Sequence, residues 1–182
     1  MKRILIILLV LLMAVLAGCK APSAAPQETP APETAVPEAT VSPDGSEVLR
    51  FETVDVNGEP VSFADFADKK LIMVNLWETW CPPCMGELPD LEALYEKYRG
   101  EGFVILGVYS QSELSEVKST VESLGIQYPV FEATSDFSRY RTQYVPTTVF
   151  VNAAGELMTD EPYIGSMTAA QWEQIITGLL GK

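Results

Sequence analysis

The sequence predicts an α/β fold: a central mixed sheet flanked by helices, with an N-terminal β-hairpin extension. Three observations predict it. Two nearly unbroken apolar runs, 71–77 and 103–110, have the length of buried strands. Each is followed by a segment whose apolar residues recur at helical spacing. Ahead of them, "VLRFETVDVNGEPVSF" alternates apolar and polar residues around Asn57-Gly58, which signals a hairpin.

The elements follow in order. "FADFAD" reads as a short helical turn. "LIMVNLW" is the first central strand, and a helix opens at the "CPPC" that follows. Leu88, Leu91, Leu94, Tyr95 and Tyr98 form its apolar stripe, Pro89 is expected to kink it, and Gly100 ends it. "FVILGVYS" is the second buried strand. Ser112 is positioned to cap the next helix, whose apolar face is Leu114, Val117, Val121 and Leu124 and which stops at Gly125. "YPVFEA" reads as a short strand and "DFSRYRTQY" as a short helix. "PTTVFVNAAGELMTD" reads as two strands joined by a turn at 152–155. Thr168 with Gln171 makes a capping box for a last helix, with Trp172, Ile175, Ile176 and Leu179 as its buried stripe. Alternation gives a parallel core, and the closing hairpin adds antiparallel strands.

The N-terminal part has a different composition. Lys2 and Arg3 precede an apolar run, Ile4 to Leu16, that is short for a membrane span and fits an export signal. It ends in Leu16-Ala17-Gly18-Cys19, which resembles the bacterial lipoprotein box. That resemblance implies cleavage after residue 18 and lipidation of Cys19, with several acyl chains giving a stable anchor. Residues 20–46 are rich in Pro, Ala, Glu and Thr and lack apolar periodicity, so they read as a disordered spacer. The expected organisation is a signal peptide at 1–18, a lipidated cysteine and tether at 19–46, and one folded domain at 47–182.

Charge and cysteine usage narrow the function. The formal net charge is −13, and the leader carries two basic residues and no acidic one, so its loss leaves the rest more acidic still. Such a surface repels phosphate backbones, which argues against nucleic acid as a partner. Histidine is absent, which excludes Cys-His and Ser-His nucleophiles and His-ligated metals. Of three cysteines, one is assigned to the lipid, leaving Cys81 and Cys84 as a pair in a compartment where disulfides persist.

A C-x-x-C that opens the first helix of such a unit reads as a redox motif. Here the chain resembles the TlpA/ResA branch of the thioredoxin superfamily, membrane-tethered extracytoplasmic thiol-disulfide oxidoreductases. The matching stretches are "VNLWETWCPPCMGELP" at 74–89, "VPTTVFVNAAGEL" at 145–157, and Tyr163-Ile164-Gly165. The resemblance covers essentially the whole folded part. It implies a thioredoxin-like fold and reduction of disulfides of exported proteins, apocytochrome c among them; the chain is expected to act as a monomer. It also implies electrons from a membrane thiol transporter of the CcdA/DsbD type.

The chemistry fits. Thiol-disulfide exchange needs a thiolate, a resolving thiol and access for a partner. Cys81 stands at a helix N-terminus, where free N–H groups and the dipole favour the thiolate, so it is expected to attack, with its thiol below the ordinary range. Cys84, one turn on, is expected to resolve. Pro82 and Pro83 occupy first-turn positions, where a missing N–H costs little, and stiffen the loop between the sulfurs. The resemblance gives Glu87 the role of acid/base or tuner of cysteine protonation, against a solvated helix carboxylate as the alternative. It makes Pro146 a cis-proline opposite the disulfide, which presents the Val145 backbone to a substrate chain. Trp80 and Trp77 flank the motif; Trp80 is expected to cover the sulfurs and to join the docking surface, and for Trp77 a place in the core is an equal alternative. Asn75 stands where many thioredoxins place a buried Asp, which shifts attention to Glu87. Glu78 is expected to be exposed, with an effect on Cys81 or on partner choice as the alternative.

Other readings of the pair are weaker. A structural disulfide across so small a loop stabilises little. A metal site needs about four N or S ligands. Neither a cofactor nor a metal is required by the exchange. Competing functions are a peroxiredoxin-like antioxidant, an electron donor to a methionine sulfoxide reductase, and a copper-delivery module. The first expects Thr three residues before its cysteine, where this chain has Glu78. The last expects C-x-x-x-C and a distal His, and both are missing.

Overall fold

A computed structural model of the chain describes residues 48–181. The expected signal peptide, Cys19 and the expected tether lie outside the described residues, as do Glu47 and Lys182. The hairpin is β1 (Glu52–Val54) and β2 (Pro60–Ser62), antiparallel with Thr53 opposite Val61. Asp55 closes its turn: Oδ1 accepts from the backbone N–H of Asn57 at 2.8 Å and of Glu59 at 2.9 Å. Gly58 takes the left-handed conformation that this turn requires. A 3-10 turn at Phe63–Phe66 follows, with Ser62 and Asp65 as its capping box.

The main sheet has five strands in the order β5-β4-β3-β6-β7. These are β3 (Leu71–Leu76), β4 (Phe103–Tyr109), β5 (Val130–Glu132), β6 (Thr147–Val151) and β7 (Tyr163–Ile164). β3, β4 and β5 run parallel, and β6 and β7 are antiparallel additions. Of three helices, α1 (Pro82–Tyr98) connects β3 to β4, α2 (Leu114–Leu124) connects β4 to β5, and α3 (Ala169–Leu180) follows β7. The hairpin forms its own small sheet. It meets the edge of the main one where Val56 N–H donates to the Val130 carbonyl at 2.9 Å.

Strand alternation divides the interior in two. Met73, Phe103, Ile105 and Phe150 pack under α1 and α3 with Leu88, Leu91, Trp172 and Ile176. Ile72, Val74, Leu106 and Val149 face the other way, against Phe51, Phe63, Phe131 and Phe137. By the same parity Asn75 lies on the α1 face. Gly107, its partner on β4, is required by close packing. A Cβ there would stand 3.0–3.2 Å from Val130 Cγ2, Tyr128 Cε2 and Trp77 Nε1.

Four local expectations need correction. Ser112 does not cap α2. The N-cap is Glu113, without a side-chain cap bond, because the Ser112 hydroxyl is engaged by Glu78. On α2 only Val117 is buried, and Leu114 is 47% exposed. The "DFSRYRTQY" helix is a 3-10 turn, Ser135–Tyr140. The closing hairpin is not made within 147–160. Leu157 forms a single bridge to Val151, and the last strand is Tyr163–Ile164. Pro89 sits inside α1 without ending it.

Candidate active site

A short loop carries the chain from β3 to α1, and Cys81 is the N-cap of α1. Pro82 and Pro83 have no N–H. The first helix amide able to bond is therefore that of Cys84, and it donates to Cys81 Sγ at 3.2 Å. The two cysteines are bonded, with an S–S distance of 2.05 Å and Cα atoms 5.3 Å apart. Cys81 is 3% exposed and Cys84 is fully buried, while Pro82 and Pro83 are exposed.

The start of β6 faces this helix end. The Val145–Pro146 peptide is cis, and the Val145 carbonyl oxygen stands 3.5 Å from Cys81 Sγ. Pro146 is buried and Val145 half-buried. Thr147 Oγ1 donates to the Tyr144 carbonyl at 2.7 Å, which ties the loop before the proline to the strand after it. Trp80 and Tyr144 are exposed, at 57% and 65%. Trp80 thus stands in solvent beside the motif, while Trp77 is wholly buried and belongs to the core, the second of its two alternatives.

Glu87 lies one turn beyond Cys84 on the inner face of α1, at 2% exposure. The solvated alternative is excluded. Oε1 accepts from Asn75 Nδ2 at 3.2 Å, and Oε2 from Met167 N–H and Trp172 Nε1, each at 3.2 Å. Asn75 Nδ2 also donates to Thr148 Oγ1 at 3.0 Å, across the β3–β6 register. Burial pushes the Glu87 carboxyl above the ordinary carboxylate value, and the three donors pull back against it. Asn75, itself bonded to Thr148, therefore holds the Glu87 carboxyl. Trp172 and Met167 join from the far end of the chain, and nothing in their local sequence marks them for this.

Glu78 is the larger surprise. Expected to be exposed, it is 2% exposed. Its Oε1 accepts from Ser110 N–H at 2.9 Å, Ser110 Oγ at 2.8 Å and Gln111 N–H at 3.0 Å. Its Oε2 accepts from Ser112 N–H at 2.8 Å and Ser112 Oγ at 2.6 Å. The donors belong to the loop leaving β4, and a serine-rich loop elsewhere in the chain is a weak signal for such a contact.

A bonded Cys-x-x-Cys at a helix start, opposite a cis-proline and above a buried carboxyl, is suited to exchange with a second disulfide or dithiol. The Redoxin family model matches residues 22–159. The chain belongs to the Redoxin family. Within it, thiol-disulfide oxidoreductase ResA of Halalkalibacterium halodurans is 28% identical over 134 residues, which cover 72% of this chain and 74% of that one. ResA of Bacillus subtilis is 28% identical over 127 residues, 69% of each chain. Among solved structures, a thiol:disulfide interchange protein of the thioredoxin family from Chlorobium tepidum superposes with a TM-score of 0.66 at 30% identity. It matches over 73% of this chain and 94% of its own. This redoxin is a thiol-disulfide oxidoreductase of the ResA type with a thioredoxin-like fold.

Proposed function

We propose that the protein is a lipid-anchored extracytoplasmic reductant of disulfides in exported proteins, with Cys81 as nucleophile and Cys84 as resolving thiol. The observation that carries the assignment of roles is the Cys84 N–H aimed at Cys81 Sγ. That donor, at a helix N-terminus whose other early positions are prolines, stabilises negative charge on Cys81 in the reduced state. The Cys81 thiolate attacks one sulfur of a client disulfide, and the other client sulfur leaves as a thiolate and takes up a proton. Cys84 loses its proton and attacks Cys81 Sγ of the mixed disulfide, releasing the second client thiol. Two electrons pass to the client, and the Cys81–Cys84 disulfide forms. Glu87, a buried carboxyl one turn from Cys84, is suited to take that proton.

The leader, Cys19 and the acidic tether support placement outside the cytoplasm, on a membrane. Electrons then come from a membrane thiol transporter of the CcdA/DsbD type, and apocytochrome c cysteines or a methionine sulfoxide reductase are client classes. Pro82, Pro83, Trp80, Val145 and Pro146 form the surface that meets the client. The acidic chain takes no nucleic acid and acts as a monomer.

The purified protein is expected to reduce insulin with dithiothreitol, and Cys81→Ser to abolish this. Full activity in Cys81→Ser overturns the mechanism. A reduction potential well below about −200 mV supports the reductant role, and one near about −120 mV reverses the direction.

A further inference from the structure

Glu78 spends a buried carboxylate at a place where the exchange chemistry needs none. All five of its donors come from three consecutive residues, Ser110, Gln111 and Ser112. Its side-chain bonds run to that loop and to neither sulfur. The network continues outward on both sides. Arg141 donates to Ser110 Oγ at 3.1 Å. Thr79 N–H donates to Ser112 Oγ at 2.8 Å, and Thr79 Oγ1 to Glu116 at 2.8 Å. One carboxylate therefore joins the loop before Cys81, the exit of β4, the first turn of α2 and the segment before the cis-proline.

Three of those segments, the loop before Cys81, the exit of β4 and the segment before the cis-proline, wall a groove lined by Glu78, Trp80, Gln111, Arg141, Tyr144 and Val145. The Val145 end of the groove lies 3.5 Å from Cys81 Sγ. We propose that Glu78 is a positioning residue for protein substrates. It holds Ser110–Ser112, and Arg141 through them, against the active-site loop. The groove then keeps the form in which a client strand lies along Val145 with its disulfide at Cys81. This rests on the reading of Cys81 and Cys84 as a pair acting on protein disulfides, and it adds the residue that shapes their docking surface.

The test compares the full-length protein with Glu78→Gln and Ser112→Ala. Gln keeps the shape of Glu78 but turns an NH2 group toward donors. Ser112→Ala removes one donor to Glu78 and the acceptor of Thr79 N–H while leaving the carboxylate in place. KM and kcat are measured with insulin disulfides, and the rate constant is measured with the small disulfide dithionitrobenzoate. Glu78→Gln is expected to raise KM for insulin on the order of tenfold, because a small misplacement of docking groups is costly to a large substrate. The small-disulfide rate should move by less than about twofold, because that ligand does not use the groove. Ser112→Ala should move the same ratio the same way by a smaller factor, and it carries the test if Glu78→Gln does not fold. Equal losses on both substrates, or an unchanged insulin KM in both variants, overturn the proposal. A wild-type protein that reacts with the small disulfide and ignores insulin overturns instead the protein-substrate reading beneath it.

Discussion

Glu87 and Glu92 lie on the buried side of α1 and differ in their partners. Glu87 has three donors, while Glu92 accepts from Gln127 N–H at 2.9 Å and leaves Oε1 buried without a partner. Burial raises both carboxyls above their ordinary value of 4.5. A raised folded value means that the fold favours the protonated form. The stability this contributes is fully present below the ordinary value and is lost as pH rises through the folded one. Glu87→Gln and Glu92→Gln should therefore gain thermal stability relative to wild type as pH rises from the ordinary carboxylate value through the raised folded one. The measurement is Tm of the oxidised proteins across that range, and an unchanged difference refutes the argument. Activity separates the two. Only Glu87→Gln should also alter the pH profile of insulin reduction, because only Glu87 sits one turn from Cys84.

At the scale of elements, β4 carries a constraint that hydrophobic patterning does not announce. Gly107 stands in a strand of otherwise large residues because Trp77 and Tyr128 cross over it. Gly107→Ala pushes a methyl group to 3.0–3.2 Å from three neighbours, two of them fully or nearly buried aromatics. Overpacking of this kind costs about 1–3 kcal/mol. Urea denaturation should show a lower midpoint with an unchanged slope. The same crowding holds Trp77 in place at the start of the active-site loop, so the variant should also slow insulin reduction. The N-cap of α3 shows the opposite case, a feature wholly local in origin. Thr168 Oγ1 accepts from Gln171 N–H at 3.4 Å, and the Gln171 side chain accepts from Thr168 N–H at 3.0 Å, as the capping box predicts.

Across the whole molecule, the hairpin is fastened by aromatic packing more than by strand pairing. The Phe51 ring lies 5.0 Å from Phe131 and 5.1 Å from Phe137 between centroids, with Phe63 at 6.0 Å. These rings close the face of the sheet opposite α1 and α3, where no α-helix lies among the described residues. Phe51→Ala should therefore destabilise the entire domain by about 3–5 kcal/mol, as for a buried core aromatic. Loss of the near-ultraviolet signal together with the far-ultraviolet one would show this. If the hairpin melts alone while the sheet survives, it is an appendage and not part of the core.

The sequence by itself determined the order of elements, the apolar runs of β3 and β4, the helix start at Cys81 and the hairpin turn at Asn57-Gly58. Each is written in neighbouring residues, through periodicity, missing N–H groups or a glycine at a positive φ. It also marked Cys81, Cys84, Pro146 and Glu87 as the place to look. Only the tertiary structure decided what Glu78 does, that Trp172 and Met167 bond Glu87, and that Ser112 serves the active-site loop and not its own helix. It likewise decided that the last strand is 163–164. The physical reason is common to all four. Each depends on a bond between segments far apart in the chain, and a buried polar group takes whichever partner the packing brings to it.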